Sequence, residues 1–287
     1  MHARTPEGLI DYVAFFERVA RLPQQALRVE IHNELVIAVN KIEVEGNLIK
    51  LRFASGNPEE LPLLYDERTG DLETASTPDG TWLAAATRVV LVPSERLIII
   101  ESKRVGVSAT SLERYFTKLA RQNRIVNRLN FDISPLPSSS FEDELERYAR
   151  IREAIIQVNR PNSDWDDAND ILSELAAESG GQKASVSVSA ARGDSLEKNE
   201  GIVNIIRDHV RRGYANIRDV RIFGRRIGDV ADSMLTLEKH QEQRAIEIET
   251  RIAQDLEEEI VMAAEVELAE RAILLVRERS QAPEGDR

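Results

Sequence analysis

Apolar and polar positions change period along the chain, and the changes mark out its elements. Leu9, Ile10, Val13, Phe16 and Val19 recur at helical spacing behind Thr5 as a cap, Pro6 at the first helical position and Glu7 against the dipole. This predicts an opening helix that stops at Leu22-Pro23. The period then falls to two. Leu35–Val44 and Leu48–Phe53 flank Gly46-Asn47, a hairpin signal. Residues 55–82 hold many Gly, Pro, Asp, Glu and Thr and predict a long irregular connection. Thr87–Val92 and Arg96–Glu101 predict two strands around Pro93-Ser94-Glu95. A helix at about 110–122 follows, with Thr110 and Glu113 as a capping box, and then a closing strand, Ile125–Ile133.

Pro135-Leu136-Pro137-Ser138-Ser139-Ser140 reads as a linker. Ser140 and Asp143 can start a short helix after it. Strand 150–158, helix 165–177, strand 183–190, helix 196–211 and strand 216–223 then alternate, with Asp194 and Glu197 starting the second of these helices. From about Asp229 to Arg279 there is no Gly or Pro, and Ile248, Ile252, Leu256 and Ile260 form an apolar row. One long helix, or one broken in two, is predicted, with little domain left to lie on, so it is expected to self-associate. The reading is an α+β protein: a strand-rich α+β domain at 1–134, a linker at 135–140 and a β-α-β-α-β sandwich at 141–228. A long helix at 229–280 and a tail at 281–287 complete it.

Composition narrows the chemistry. The 287 residues include no cysteine, which removes disulfides, thiolate metal sites and thiol nucleophiles. Aromatics at 5% argue against stacking-rich single-strand binders. Apolar stretches never approach the ~20 residues a membrane span needs, and Asp11 and Glu17 interrupt the first. No membrane insertion and a reducing, cytoplasmic setting are expected.

The net charge of −12 argues at first against a nucleic-acid partner, yet it hides a segregation. Arg96–Arg128 carries eight basic residues against Glu101 and Glu113, a net +6. Arg207–Arg226 carries seven against Asp208 and Asp219, a net +5. Asp229–Glu270 carries thirteen acids against three bases, a net −10. Arg114, Lys118 and Arg121 share one face of the helix at 110–122, with Lys103, Arg104 and Arg124 nearby in sequence. Arg211, Arg212, Arg218, Arg221, Arg225 and Arg226 form the second group. Such stripes suit phosphate neutralisation, and arginine matches phosphate bidentately. A solvated face, or ion pairs to the acidic helix, accounts for the same pattern.

One motif carries an enzymatic alternative. The strand LIIIESK ends in Glu101-Ser102-Lys103, and Pro78-Asp79 lies upstream, a pattern that resembles the PD-(D/E)XK nucleases. That resemblance implies Asp79 and Glu101 as Mg²⁺ ligands and Lys103 as the group orienting the attacking water. Asp79 sits in Pro-Asp-Gly-Thr, which spells a turn. No cofactor is expected outside this alternative. The four histidines are scattered, without paired-ligand spacing.

The C-terminal half resembles, in element order, the RexA-type prophage-exclusion proteins and other bacterial antiphage proteins. A strand at Ala184–Ala190 leads to a helix beginning Ser195-Leu196-Glu197-Lys198-Asn199-Glu200, then another strand and a long terminal helix. The resemblance implies non-specific DNA binding by a homodimer in phage defence. The leading expectation is therefore a non-enzymatic DNA-binding protein acting through 96–128 and 207–226. The Mg²⁺-dependent nuclease and a protein-interaction scaffold built on the long helix are the alternatives.

Overall fold

The computed structural model describes residues 1–32, 34–159, 181, 183–212, 217–246 and 254–281. It has an α+β fold whose paired strands are antiparallel throughout. It divides into two units. One runs through Ala3–Ile133 and takes in the described part of 245–271; the other runs through Ser134–Arg244 and takes in the described residues after Arg271.

In the first unit, β1 (His2–Thr5) and β2 (Gly8–Leu9) pair as a small hairpin, and α1 spans Tyr12–Ala20. The helix predicted from Thr5 thus begins later than its sequence signals suggest. Thr5 Oγ1 accepts the Glu7 amide inside the turn, and Gly8 takes φ 131°, a backbone shape that favours glycine and breaks a helix. Asp11 is the true cap, its side chain accepting the Ala14 amide at 3.0 Å.

The main sheet of this unit contains β3 (Arg28–His32), β4 (Leu35–Glu45), β5 (Leu48–Gly56), β8 (Ala85–Val92) and β9 (Leu97–Ile100), in the order β3-β4-β5-β8-β9. The predicted Gly46-Asn47 hairpin joins β4 to β5, with Glu45 opposite Leu48. Between β5 and β8 the irregular connection carries a short exposed hairpin of β6 (Leu63–Tyr65) and β7 (Leu72–Thr74). After β9 come α2 (Ala109–Gln122) and β10 (Asn130–Asp132). Ser108, not Thr110, caps α2 by accepting the Ser111 amide at 3.2 Å. Glu113 instead accepts the Ile133 amide at 2.7 Å. The predicted closing strand shrinks to β10, which pairs with β1.

One sheet face holds the core. Val29, Ile37, Val39, Leu51, Phe53, Val89 and Leu91 meet Phe15, Phe16 and Val19 of α1 and Leu112, Tyr115, Phe116 and Leu119 of α2. The rings of Phe16 and Phe116 meet edge to face at 5.4 Å. Each fully buried side chain of this size contributes about 1.5–3 kcal/mol. The strand period sends the intervening residues to the opposite face. A register shift between Val39 and Lys41 turns Ile42 toward the core and Lys41 outward, so Lys41 joins Arg52 and Arg88 on that outer face.

In the second unit, α3 (Ser140–Glu146) precedes β11 (Tyr148–Asn159), β12 (Lys183–Ser189), α4 (Gly201–Arg212), β13 (Ile217–Arg226) and β14 (Ser233–Thr236). The sheet order is β12-β11-β13-β14. Ile151, Ile156, Val220 and Ile222 pack with Val203, Ile206 and Val210 of α4. At Gly224 a side chain is excluded, since a Cβ there would lie 2.1 Å from the Arg150 carbonyl oxygen. The helix predicted at 165–177 lies outside the described residues. The helix predicted from 196 starts at Gly201.

The helical pattern predicted from Asp229, as one helix or one broken in two, is corrected at its start. Ser233–Thr236 forms β14, pairing with β13, and α5 (Gln254–Gln281) begins only afterwards. Pairing along the open edge of β13, with Leu235 and Leu237 in the core, overrides a helical composition.

Candidate functional site

The outer face of the five-stranded sheet gathers most of the charge chemistry of the first unit. Lys41 on β4 stands opposite Arg52 on β5, and Arg52 stands opposite Arg88 on β8. The row continues to Glu101, whose amide donates to the Arg88 carbonyl at 3.0 Å. Arg88 is only 1% exposed. Its backbone amide donates to Glu101 Oε2 at 2.9 Å and its Nη1 to Glu101 Oε1 at 3.0 Å. Lys103 Nζ reaches the same Oε1 at 2.8 Å.

Helix α5 supplies the remaining carboxylates. Glu258 pairs with Arg52 at 2.5 Å and Lys41 at 3.2 Å. Glu257 lies 3.4 Å from Arg88 Nη1 and 3.7 Å from Lys103 Nζ. Burial works to raise the Glu258 carboxyl, but Lys41, Arg52 and Arg88 outweigh it and hold its pKa below the usual value. Glu265, one helical turn and more beyond, behaves in the opposite way. It is 4% exposed, and among the described residues neither carboxyl oxygen has a hydrogen-bond partner. Burial, with the nearby Glu101 charge adding to it, pushes its pKa up to about 8 against the pull of Arg88 and Lys103. A groove of about 720 Å³ runs beside this cluster, lined among others by Lys41, Lys50, Arg52, Glu258, Met262 and Val266.

Glu101 and Lys103 are therefore neighbours, as the Glu-x-Lys spelling allows. Asp79 lies in an exposed turn closed by the Thr81 amide on the Pro78 carbonyl at 3.0 Å, and bonds to neither of them. Among the described residues no group of three or more His, Asp or Glu side chains is placed to hold a metal ion. A Mg²⁺ at Glu101 would have to compete with Arg88 and Lys103 for both carboxylate oxygens.

The two basic segments fare differently. On α2, Arg114 and Arg121 are exposed, and so are Arg104, Arg124 and Arg128 on the flanking loops. None of these five arginines has a carboxylate partner among the described residues. Lys118, midway along the stripe, is committed to structure: its ammonium donates to the Ile31 carbonyl at 2.6 Å and the Glu30 carbonyl at 3.1 Å.

In the second segment, Arg211 forks onto Glu142 at 3.1 and 3.3 Å. Arg221 pairs with Asp219 at 2.8 Å and Arg225 with Asp232 at 3.4 Å. Arg226 pairs with Glu144 at 2.5 Å and lies over the Tyr148 ring. Arg218 is half-buried, and the side chain of Arg212 lies outside the described residues. Sequence spacing does not identify these partners. The acids facing Arg211 and Arg226 come from the short helix α3, not from the long acidic helix. Arg52, Glu257 and Glu258 also escape a reading of the sequence, because their partners lie far away along the chain: Arg52 and Glu258 are 206 residues apart.

The geometry defines an α+β protein with an arginine-bearing helix on one face of a sheet and a helix-covered cationic row on the other. The chain belongs to the family of the domain of unknown function DUF4747, whose profile matches residues 2–228. No curated protein matches it. No helix among the described residues is long and apolar enough to cross a membrane.

Proposed function

We propose that this is a cytoplasmic, non-enzymatic DNA-binding protein that holds phosphates through the arginines of α2 and its flanking loops. The observation that carries the reading is the contrast between the two basic segments. Arg104, Arg114, Arg121 and Arg124 are exposed with no carboxylate partner among the described residues, while Arg211, Arg221, Arg225 and Arg226 are each engaged by a nearby acid. Free exposed arginines release counterions when they meet a phosphate backbone; paired ones must first give up an acid. The likeness of the C-terminal half to RexA-type proteins supports a role in phage defence.

Fluorescence anisotropy with an arbitrary duplex across a salt series tests this. R114Q/R121Q should weaken binding at every sequence tried and lower the salt slope by about 2, at about 0.9 for each phosphate left without its arginine. No binding by the unaltered protein at low salt, or an unchanged slope in the variant, refutes it.

Self-association through α5 is the second reading. Leu256, Ile260 and Leu274 are large, exposed and share one face of the helix. Light scattering on the full chain and on L256K/I260K checks it: a dimer that becomes a monomer supports the reading, and a wild-type monomer overturns it.

A further inference from the structure

The cationic row under α5 is costly as a purely structural device. Lys41, Arg52 and Arg88 stand side by side on three adjacent strands, a span of about 10 Å at the usual ~4.8 Å strand spacing. Like charges directly opposite one another across strands repel. Removing such charges from water adds a penalty that well-packed apolar residues would avoid.

Glu257 and Glu258 answer this row, but incompletely. Among the described residues, the Nε of Arg52 and the Nε of Arg88 are buried with no hydrogen-bond partner, and the two oxygens of Glu265 are buried without a donor. A guanidinium offers five N–H donors in a fixed fork; Glu43, Glu101, Glu257 and Glu258 pair with the four cations, yet the Nε–H donors of Arg52 and Arg88 stay unused among the described residues. A run of phosphates presents more acceptor oxygens along the same line, and each can take a guanidinium bidentately. Of the carboxylates that line the groove beside Lys41, Lys50 and Arg52, Glu258, Glu259, Glu267 and Glu270 belong to α5 and Glu43 to β4, so the groove admits such a chain once α5 leaves it. Lys41, Arg52, Arg88 and Lys103 all fall within the family-matched residues 2–228, whereas Glu257 and Glu258 fall beyond them.

We propose that the outer sheet face is a second phosphate-binding surface, that Glu257 and Glu258 of α5 occupy it in place of phosphates, and that a nucleic-acid backbone displaces them. This deepens the DNA-binding reading and rests on it for the identity of the ligand. The helix is then an internal competitor that sets how much of the protein's cationic surface is available.

The test uses the full chain and a duplex of about 20 base pairs in anisotropy. E257Q/E258Q should bind at least about tenfold tighter than wild type with a steeper salt dependence. E67Q/E73Q makes the same change in net charge on the exposed β6–β7 hairpin, away from the row and its groove, and should shift affinity by less than about twofold. Adding K41Q/R52Q to E257Q/E258Q should remove the gain. Hydrogen exchange of the wild-type protein gives an answer that needs no variant: saturating duplex should strip protection from the amides of residues 254–271. Equal affinity of E257Q/E258Q and wild type, with α5 amides equally protected with and without duplex, overturns the proposal and leaves the α2 reading standing. Absence of duplex binding by wild type alone, with a gain in E257Q/E258Q, overturns the α2 reading and supports the row. An opened row that takes inorganic tripolyphosphate but not duplex overturns the assignment to nucleic acid.

Discussion

Replacing Glu265 with glutamine removes a carboxyl that burial holds neutral. In the unfolded chain this group titrates near 4.5, and in the folded protein near 8. The folded state therefore keeps a proton that the unfolded state has released. Stability falls as pH rises through that interval and levels off above about 8, because a raised carboxyl pKa disfavours folding wherever the unfolded chain is ionised. Each tenfold change in acidity is about 1.4 kcal/mol, so the penalty at pH 7 is on the order of 3 kcal/mol, and above pH 8 on the order of 5 kcal/mol. Glutamine has nearly the same shape and no proton to lose. Urea unfolding of both proteins between about pH 5 and 8.5 reads the difference, since every other titrating group cancels between them. The glutamine variant should match wild type within about 1 kcal/mol near pH 5 and exceed it by a growing margin toward pH 8.5. A constant difference across the range, or a variant less stable than wild type at pH 8, refutes the reasoning that Glu265 is buried beside Glu101 without a donor.

The packing sets three more outcomes. Arg88→Met leaves the Glu101 carboxylate with Lys103 and the residue-88 backbone amide but without its buried guanidinium, and should cost about 3–5 kcal/mol in urea unfolding, against less than about 1 kcal/mol if the pair were solvated. Gly224→Ala pushes a methyl into the Arg150 carbonyl and should lower stability by about 1–3 kcal/mol, read as a shifted urea midpoint. Ser108→Ala removes the α2 cap and should cost about 1 kcal/mol, seen by the same measurement with an unchanged denaturant slope.

Local pattern makes much of the first unit legible. The Gly46-Asn47 turn, the alternation of β5, the apolar run of β8 and the span of α2 all follow from signals within a few residues of one another. Where two signals conflict, the more familiar spelling misleads. Thr5-Pro6-Glu7 spells a helix start, but Gly8 at positive φ closes a hairpin there first. From Asp229 the composition is helical, yet Ser233–Thr236 pairs with a strand whose edge is available only once the second unit has formed. The candidate site is half legible. Glu-x-Lys is visible at the end of β9, and the exposed arginines are visible as a stripe. The covering carboxylates of α5 are not, because ion pairing between residues up to 217 positions apart leaves no periodic mark. Nor can spacing say that the acids of α3 neutralise the second arginine group.

Lys118 matters beyond the arginine stripe. β3 is an outer strand of the five-stranded sheet, and the ammonium that the stripe would offer to phosphate is tied to the carbonyls of Glu30 and Ile31. Outer strands are templates for uncontrolled polymerisation, and a positive charge fastened to one is a common natural deterrent. An approaching strand from another molecule would have to unseat that charge beside exposed Arg114 and Arg121 on the same helix. The helix proposed above for nucleic acid thereby also sets a fixed positive charge against that outer strand.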